Sequence, residues 1–159
     1  MRTWTGRITK AVVAGAVATA GLALSTGSAH ANEAAACRSK TTHSLAKVAD
    51  NLYLDSCYHV LADGASMHAV IGVFNQTGHA FTYCAHAINV NNPAGPWAHD
   101  FGCTSTNAQS AYFNAGTDKP YGPSWEQWHA GPGTYVISTG VWIDGHYAGD
   151  VESPRTTIG

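Results

Sequence analysis

The sequence predicts an all-β protein, a small β-sandwich with a disulfide-tied N-terminal segment. Two observations carry this prediction. Short apolar runs separated by Gly, Pro, Asn and Asp recur from Met67 onward, as in sheets of short strands. Residues 134–143 alternate in side-chain character, and Asp144-Gly145 follows them as a strong two-residue hairpin signal.

Residues 1–31 have the three parts of a secretory signal peptide. Arg2, Arg7 and Lys10 precede an apolar run over residues 11–24, and Ala29-His30-Ala31 supplies an A-x-A cleavage signal. The apolar run is shorter than the roughly 20 residues that a membrane-spanning helix needs. We therefore expect a secreted, extracellular protein that begins at Asn32.

The four cysteines of the mature chain predict two disulfides. An even number of cysteines in a short exported chain is typical of a disulfide framework. We favour Cys37–Cys57 with Cys84–Cys103, because each pair closes a local loop, although the other two pairings stay open. A zinc site is disfavoured because no C-x-x-C pair occurs. The expected organisation is a disulfide-tied segment over residues 32–63 and a sandwich body over residues 64–159.

The secondary structure of the first part of the mature chain is ambiguous, whereas the pattern of the second part predicts β-strands. Residues 44–54 fit either a short helix or an irregular hairpin. Residues 68–74 predict a buried strand, residues 75–78 a turn, and residues 81–90 a second strand. We expect these two strands to pair as a hairpin.

The remaining strands follow at short intervals. The Asp144-Gly145 turn leads from the strand over residues 134–143 into a last strand or pair of strands, which Pro154 limits to an edge or bulge. Further strands are expected over residues 97–103, 111–113 and 146–158.

The segment Gly131-Pro132-Gly133-Thr134-Tyr135-Val136-Ile137 resembles a late strand of immunoglobulin-like and fibronectin-type modules. The resemblance covers about residues 67–158 and implies an immunoglobulin-like β-sandwich. It also implies that Tyr135 is a corner tyrosine whose hydroxyl bonds back to the preceding loop. The chain departs from antibody domains because no cysteine follows two residues after Tyr135.

Aromatic residues in and beside the predicted loops are the candidate binding residues. Exposed flat rings near an amide and a carboxylate suit sugars or a protein hot spot. The alternative is that Trp125 and Trp128 plug an open end of the sandwich core. The candidates are Trp97, Tyr121, Trp125 and Trp128.

The sequence offers little sign of catalysis. It contains no H-E-x-x-H, G-x-S-x-G, Walker or dinucleotide motif. Asp144, Asp150 and Glu152 are the carboxylates that a hydrolase would use, but a turn and a solvated strand face explain them equally well. We predict no catalytic residue, no cofactor and no metal, and we interpret the eight histidines after Ala31 as surface or half-buried residues.

The charge balance disfavours two classes of partner. Ten acidic side chains and five basic ones follow Ala31, which gives a net charge of −5 with neutral histidines. Without a basic patch, we expect neither nucleic acid nor an anionic membrane as a partner.

The short exported architecture resembles the small adaptor subunit of the umbrella-shaped toxin particles that filamentous actinobacteria secrete. In that family the adaptor joins a lectin subunit to a large scaffold protein through a disulfide-linked pair of N-terminal strands. The resemblance implies a non-enzymatic adaptor with secreted protein partners and a docking element over residues 36–58, which Cys37 and Cys57 bracket. The alternatives are a carbohydrate-binding module that uses exposed tryptophans and, less favoured, a small secreted hydrolase.

Overall fold

The computed structural model describes residues 34–120 and 127–159, and its architecture is all-β. Its elements are numbered in chain order. They are β1 (Ala34–Cys37), α1 (Arg38–Thr42), β2 (Ala46–Ala49), β3 (Leu52–Val60), β4 (Ser66–Asn75), β5 (Phe81–Asn89), β6 (His99–Thr106), β7 (Ser110–Asn114), β8 (Trp128–His129), β9 (Gly133–Ile143), β10 (His146–Glu152) and β11 (Thr156–Ile158).

Two antiparallel sheets form the molecule. In sheet A, β3 and β4 pair along nine residues at the centre, with β1 and β2 on the free side of β3 and with β7 and β8 on the free side of β4. In sheet B, β9 and β5 pair at the centre, with β10 and β11 beside β9 and with β6 beside β5. The predicted all-β sandwich with a disulfide-tied N-terminal segment is confirmed.

The core lies between the sheets and follows the two-residue period of each strand. Along β5, Phe81, Tyr83, Ala85 and Ala87 are all buried, as the alternation in the sequence predicts. Inner residues of the other central strands belong to the same cluster, among them Leu52, Leu54, Val60, Met67, Ala69, Ile71, Val73, Ile137 and Val141.

One buried polar contact joins the two sheets. The Ser56 hydroxyl donates to the Ile137 carbonyl at 2.8 Å and lies 3.1 Å from the Thr139 hydroxyl. Buried hydroxyls need such partners, because an unpaired one costs about 1–3 kcal/mol. The contact therefore links β3 to β9 at a defined register.

The expected hairpin between residues 68–74 and 81–90 is wrong, because β4 lies in sheet A and β5 in sheet B. The turn residues are present but they carry the chain across the sandwich. Asn75 is buried, and its side chain donates to the His79 carbonyl and accepts from the Thr77 amide. These bonds satisfy the backbone of a connection that changes sheets.

The N-terminal segment is a hairpin rather than a helix over residues 44–54. Strands β2 and β3 pair across Asp50 and Asn51, and Asn51 has a φ of 59°, which Asn tolerates in turns. The short helix of this region is α1, which lies earlier in the chain. Strand β3 also contributes Leu52 and Leu54 to the core, so this segment packs into the sandwich.

Several local predictions are confirmed. The disulfides are Cys37–Cys57 and Cys84–Cys103. Asp144 and Gly145 have φ values of 51° and 76° in the turn between β9 and β10. The Tyr135 hydroxyl donates to the Gly131 carbonyl at 2.8 Å, the loop contact that the corner-tyrosine resemblance implied.

Candidate functional site

The structure separates the two predicted tryptophans that it describes. Trp97 is 55% exposed and stacks on His86 of β5, with ring centroids 3.5 Å apart and planes 15° apart. His86 Nδ1 lies 3.2 Å from a carboxylate oxygen of Asp100. Trp97 is thus an exposed ring on sheet B. Tyr121 and Trp125 lie outside the described residues.

Trp128 serves packing. Its ring stacks on His99 at 5.3 Å and meets Tyr135 edge-on at 5.2 Å. Phe101 lies against both His99 and Trp128, so these rings close one end of the sandwich. Trp128 is half-buried and belongs to this cluster, as the core-plug alternative predicted for it.

The carboxylates considered for hydrolysis lie on a strand surface. Asp150 and Glu152 are exposed on β10, opposite Gly140 and Ser138 of β9. Asp150 accepts a hydrogen bond from Tyr147 and thereby raises the pKa of that phenol, because the bond favours the protonated form.

The edges of the two sheets point to a different kind of site. An edge strand has unpaired backbone groups that can pair with another chain, and proteins protect such edges with bulges, charges or proline. Strands β2, β6 and β10 each contain a bulge and a charged residue: Lys47 on β2, Asp100 on β6, and Asp150 and Glu152 on β10. Strand β7 is covered by a bridge from Phe113 to Pro120, and β8 and β11 are only two and three residues long.

Strand β1 has none of these protective features. Its residues are Ala34, Ala35, Ala36 and Cys37, and each pairs with β3 without a bulge. No charged side chain lies on the strand. It is therefore a small, uncharged and regular edge.

The disulfide defines which backbone groups of β1 point outward. Directly opposed residues in antiparallel strands alternate between hydrogen-bonded pairs, with Cα atoms about 5.5 Å apart, and non-hydrogen-bonded pairs, about 4.5 Å apart. The Cα atoms of Cys37 and Cys57 are 4.0 Å apart, which marks a non-hydrogen-bonded pair. By alternation Ala35 and His59 form another. The N–H and C=O of Ala35 therefore point away from β3, and no hydrogen bond from residues 34–120 or 127–159 reaches them.

An open cleft of about 450 Å³ adjoins this edge. Ala34 of β1 borders it on one side, and Thr156 and Thr157 of β11 border it on the other. Val60, Asp63, Gly64 and Gly159 complete its lining. The cleft thus lies between an edge of sheet A and an edge of sheet B.

Asp63 fixes the turn at the floor of the cleft. Its carboxylate accepts bonds from the Ala65 amide, the Ser66 amide and the Ser66 hydroxyl. These donors lower the pKa of Asp63 to about 2, because they favour the charged form. The carboxylate is charged across the neutral pH range and holds the chain as it leaves β3 for β4.

No protein-family model, curated protein or solved structure matches the chain. The two disulfides indicate an oxidising, extracellular type of environment. Within the described residues, no helix has the length and apolar character needed to cross a bilayer.

The expected docking element, residues 36–58, overlaps only Ala36 and Cys37 of β1, and sequence reasoning missed Ala35 and the cleft. The available signal was the run of three alanines directly before Cys37. Small residues next to a cross-strand disulfide fit an edge that another strand can approach. The cleft depends on residues about 120 positions apart, Ala34 and Thr156, which no local pattern relates.

Proposed function

We propose that the chain is a secreted, non-enzymatic adaptor that binds a protein partner by accepting an extended segment of that partner alongside β1. The observation that carries this proposal is the contrast among the edges: β1 is regular and uncharged, whereas the other described edge strands of four or more residues carry bulges, charges or a proline bridge. Strand addition uses such an edge, because main-chain hydrogen bonds supply affinity and side-chain pockets supply specificity.

The geometry around Ala35 favours this mode of binding. Its outward N–H and C=O would bond to the incoming strand, while Ala34 and Ala36 stay bonded to β3. Alternate side chains of the added strand would point toward the cleft between β1 and β11. The alanine side chains leave room for larger residues of the partner.

The disulfide Cys37–Cys57 supports the proposal because it reduces the conformational entropy that binding would cost. A strand held by four residue pairs is a weak template by itself. The covalent link to β3 keeps β1 in register before the partner arrives, so less conformational entropy is lost on binding. The resemblance to the adaptor of secreted umbrella toxin particles favours the same region, because its docking element lies over residues 36–58.

Affinity capture with a matched pair of β1 variants tests the proposal. The mature chain, tagged at its C-terminus, is used to capture proteins from the culture supernatant of its own source, and mass spectrometry quantifies them. Ala35→Pro removes the outward N–H, and edge strands tolerate proline where the N–H is not used in the sheet. Ala35→Thr keeps the N–H and serves as the control. We expect one or more secreted proteins in fixed proportion to the wild type and to Ala35→Thr, and at least a ten-fold loss with Ala35→Pro.

Thermal unfolding of both variants shows whether the sandwich is intact. Equal capture by Ala35→Pro and Ala35→Thr would exclude strand addition at this edge. Recovery of the wild type alone, without any protein in fixed proportion, would contradict the adaptor function itself.

A further inference from the structure

A second surface lies on the outer face of sheet B and does not involve β1. Trp142 of β9 and Tyr147 of β10 are paired across the strands, with ring centroids 5.4 Å apart. Tyr147 is 56% exposed. The indole lies over Gly140, since a Cβ atom at that glycine would come within 2.8 Å of Trp142 Cη2. The absence of a side chain at Gly140 thus lets the indole rest on the sheet, with Tyr147 beside it.

A shallow cavity of about 200 Å³ adjoins the indole. Three of its lining residues carry polar side chains, namely the hydroxyls of Thr82 and Ser105 and the carboxylate of Asp144. The two hydroxyls share a hydrogen bond at 2.7 Å, which fixes them next to each other on β5 and β6. Ala80, Phe81 and Gly145 complete the lining. An aromatic ring beside a few convergent polar groups is the usual composition of a small-ligand site.

The charge of this surface restricts the class of ligand. Asp144 borders the cavity, and Asp150 lies beside Tyr147, whereas no Lys or Arg is among the described residues that line the cavity. A phosphate, sulfate or uronic acid would meet like charge. A neutral ligand rich in hydroxyl groups fits better, because hydroxyls donate to the carboxylate and exchange hydrogen bonds with Thr82 and Ser105.

We propose that this surface, formed by Trp142, Tyr147, Thr82, Ser105 and Asp144, binds a neutral sugar unit of an extracellular polysaccharide. The indole packs against the apolar C–H face of the pyranose ring, as flat aromatic rings pack on apolar surfaces. The hydroxyl groups of the sugar then bond to the polar groups of the cavity. This site is distinct from the predicted aromatic set; of the two members of that set that the structure describes, Trp97 lies on the same face and Trp128 does not.

The position of Trp97 indicates how long a sugar chain must be to contact both tryptophans. Trp97 stacks on His86, whereas Trp142 pairs with Thr82, and these two positions of β5 are four residues or roughly 13 Å apart at ~3.3 Å per residue. A chain of several sugars can therefore contact both rings. We expect oligosaccharides to bind more tightly than the single sugar, and Trp97→Ala to reduce only that gain.

The test measures binding of defined probes by calorimetry to the full mature chain. The neutral probes are hexasaccharides of cellulose, chitin, xylan and β-1,3-glucan, and an alginate hexasaccharide is the acidic probe. We expect at least one neutral probe to bind and the acidic one not to bind. Trp142→Ala should weaken binding at least ten-fold, as truncation of an aromatic hot spot does, and Ser105→Ala several-fold.

Two further variants keep the result interpretable. Asp144→Asn preserves the turn, because Asn-Gly is a preferred type I′ pair, and it should weaken binding if the carboxylate accepts from the sugar. Phe74→Ala removes an exposed ring from the opposite sheet and should leave binding unchanged. Failure of every neutral probe to bind, or equal losses with Phe74→Ala and Trp142→Ala, would overturn the proposal. Neither outcome bears on capture by β1, so the two proposals can fail separately.

Discussion

The two disulfides tie similar places in the two sheets but support very different strands. Each joins an edge strand to the interior strand beside it, with sequence separations of 20 and 19 positions between the cysteines and a Cα distance of 4.0 Å. In sheet A the edge strand is β1, which has four residues. In sheet B it is β6, which has eight.

The contacts around β1 and β6 also differ, and they hold β6 more firmly than β1. The turn that follows β7 packs on the backbone of β6, because Gly116 lies against the Phe101 carbonyl. Tyr83 secures the same turn by donating to the Thr117 carbonyl at 2.7 Å. Among the described residues, strand β1 is held by its pairing with β3, the disulfide, the start of α1 and the packing of Ala34 against the core. The same covalent bond therefore reinforces a strand that is already held in sheet B, and keeps an exposed strand in place in sheet A.

Removal of the disulfides gives the largest expected effect. With similar loop lengths, Cys37→Ala/Cys57→Ala and Cys84→Ala/Cys103→Ala should each lower the free energy of unfolding by about 3 kcal/mol on the chain-entropy model. Urea unfolding measures this loss. The local effects should differ: the Ala36 amide, bonded to β3, should exchange rapidly in the first variant, while the β6 amides stay protected in the second. Equal protection of the β1 amides from exchange in both variants would contradict the expected difference between the two disulfides.

The contact between Gly116 and β6 comes next. A Cβ at Gly116 would lie 1.8 Å from the Phe101 carbonyl oxygen, and the residue has a φ of 74°. Gly116→Ala should therefore cost about 2 kcal/mol of unfolding free energy through overpacking and backbone strain. Gly78→Ala is the control, because its φ is 75° but nothing lies within 4 Å of the new Cβ. It should cost about 1 kcal/mol. Equal costs would show that β6 does not need this turn.

The Tyr83 bond has a smaller expected effect on the same side of the molecule. Tyr83→Phe leaves the buried ring in place and removes the donor to the Thr117 carbonyl. We expect a loss of about 1 kcal/mol in the free energy of unfolding, with faster amide exchange in residues 115–119. Tyr135→Phe is matched, since it removes the equivalent phenol bond to the Gly131 carbonyl, in a different loop. Faster exchange at residues 115–119 in that control would deny Tyr83 a local role.

Asp63 provides the smallest and most specific test, on the β1 side. Its pKa falls to about 2 in the folded chain from about 3.9 in an unfolded one, so its stabilising effect is complete above about pH 4 and disappears as the pH falls to about 2. The wild type should melt at a higher temperature than Asp63→Asn at pH 7, and the gap should close by pH 2. A gap that stays constant from pH 7 to pH 2 would mean that the charge is irrelevant to the turn.

Much of the fold could be predicted because it is encoded locally. Alternation along β5 and β9 gave the buried faces, and Asp144-Gly145 gave a turn whose positive φ values few other residues accept. The disulfide pairing followed from loop length alone. The hairpin between β4 and β5 failed because Asn75 satisfies a turn equally well whether the chain reverses within one sheet or crosses to the other. Local turn chemistry does not specify which sheet the next strand joins.

The candidate surfaces were less predictable because they depend on contacts between strands, which local sequence does not specify. Trp142 lies within an alternating strand, so its sequence context does not distinguish a ring on the outer face from a ring in the core. Its position over Gly140 depends on pairing with Tyr147 and on the hydroxyls of neighbouring strands. Ala35 is distinctive only by comparison with the other edge strands, which carry bulges, charges or a proline bridge that β1 lacks.

The position of Cys37 at the end of β1 has a mechanical consequence. Tension applied to the chain before Ala34 would separate β1 from β3 one pair at a time, and the covalent bond would stop this peeling at Cys37. The three freed residues add at most about 11 Å of extended chain. Beyond that length the load passes through the sulfur atoms to β3, whose neighbours on both sides share it across the whole of sheet A. A partner attached there could extend the chain only by this short length. Any further force would then be carried by the sandwich as a single unit.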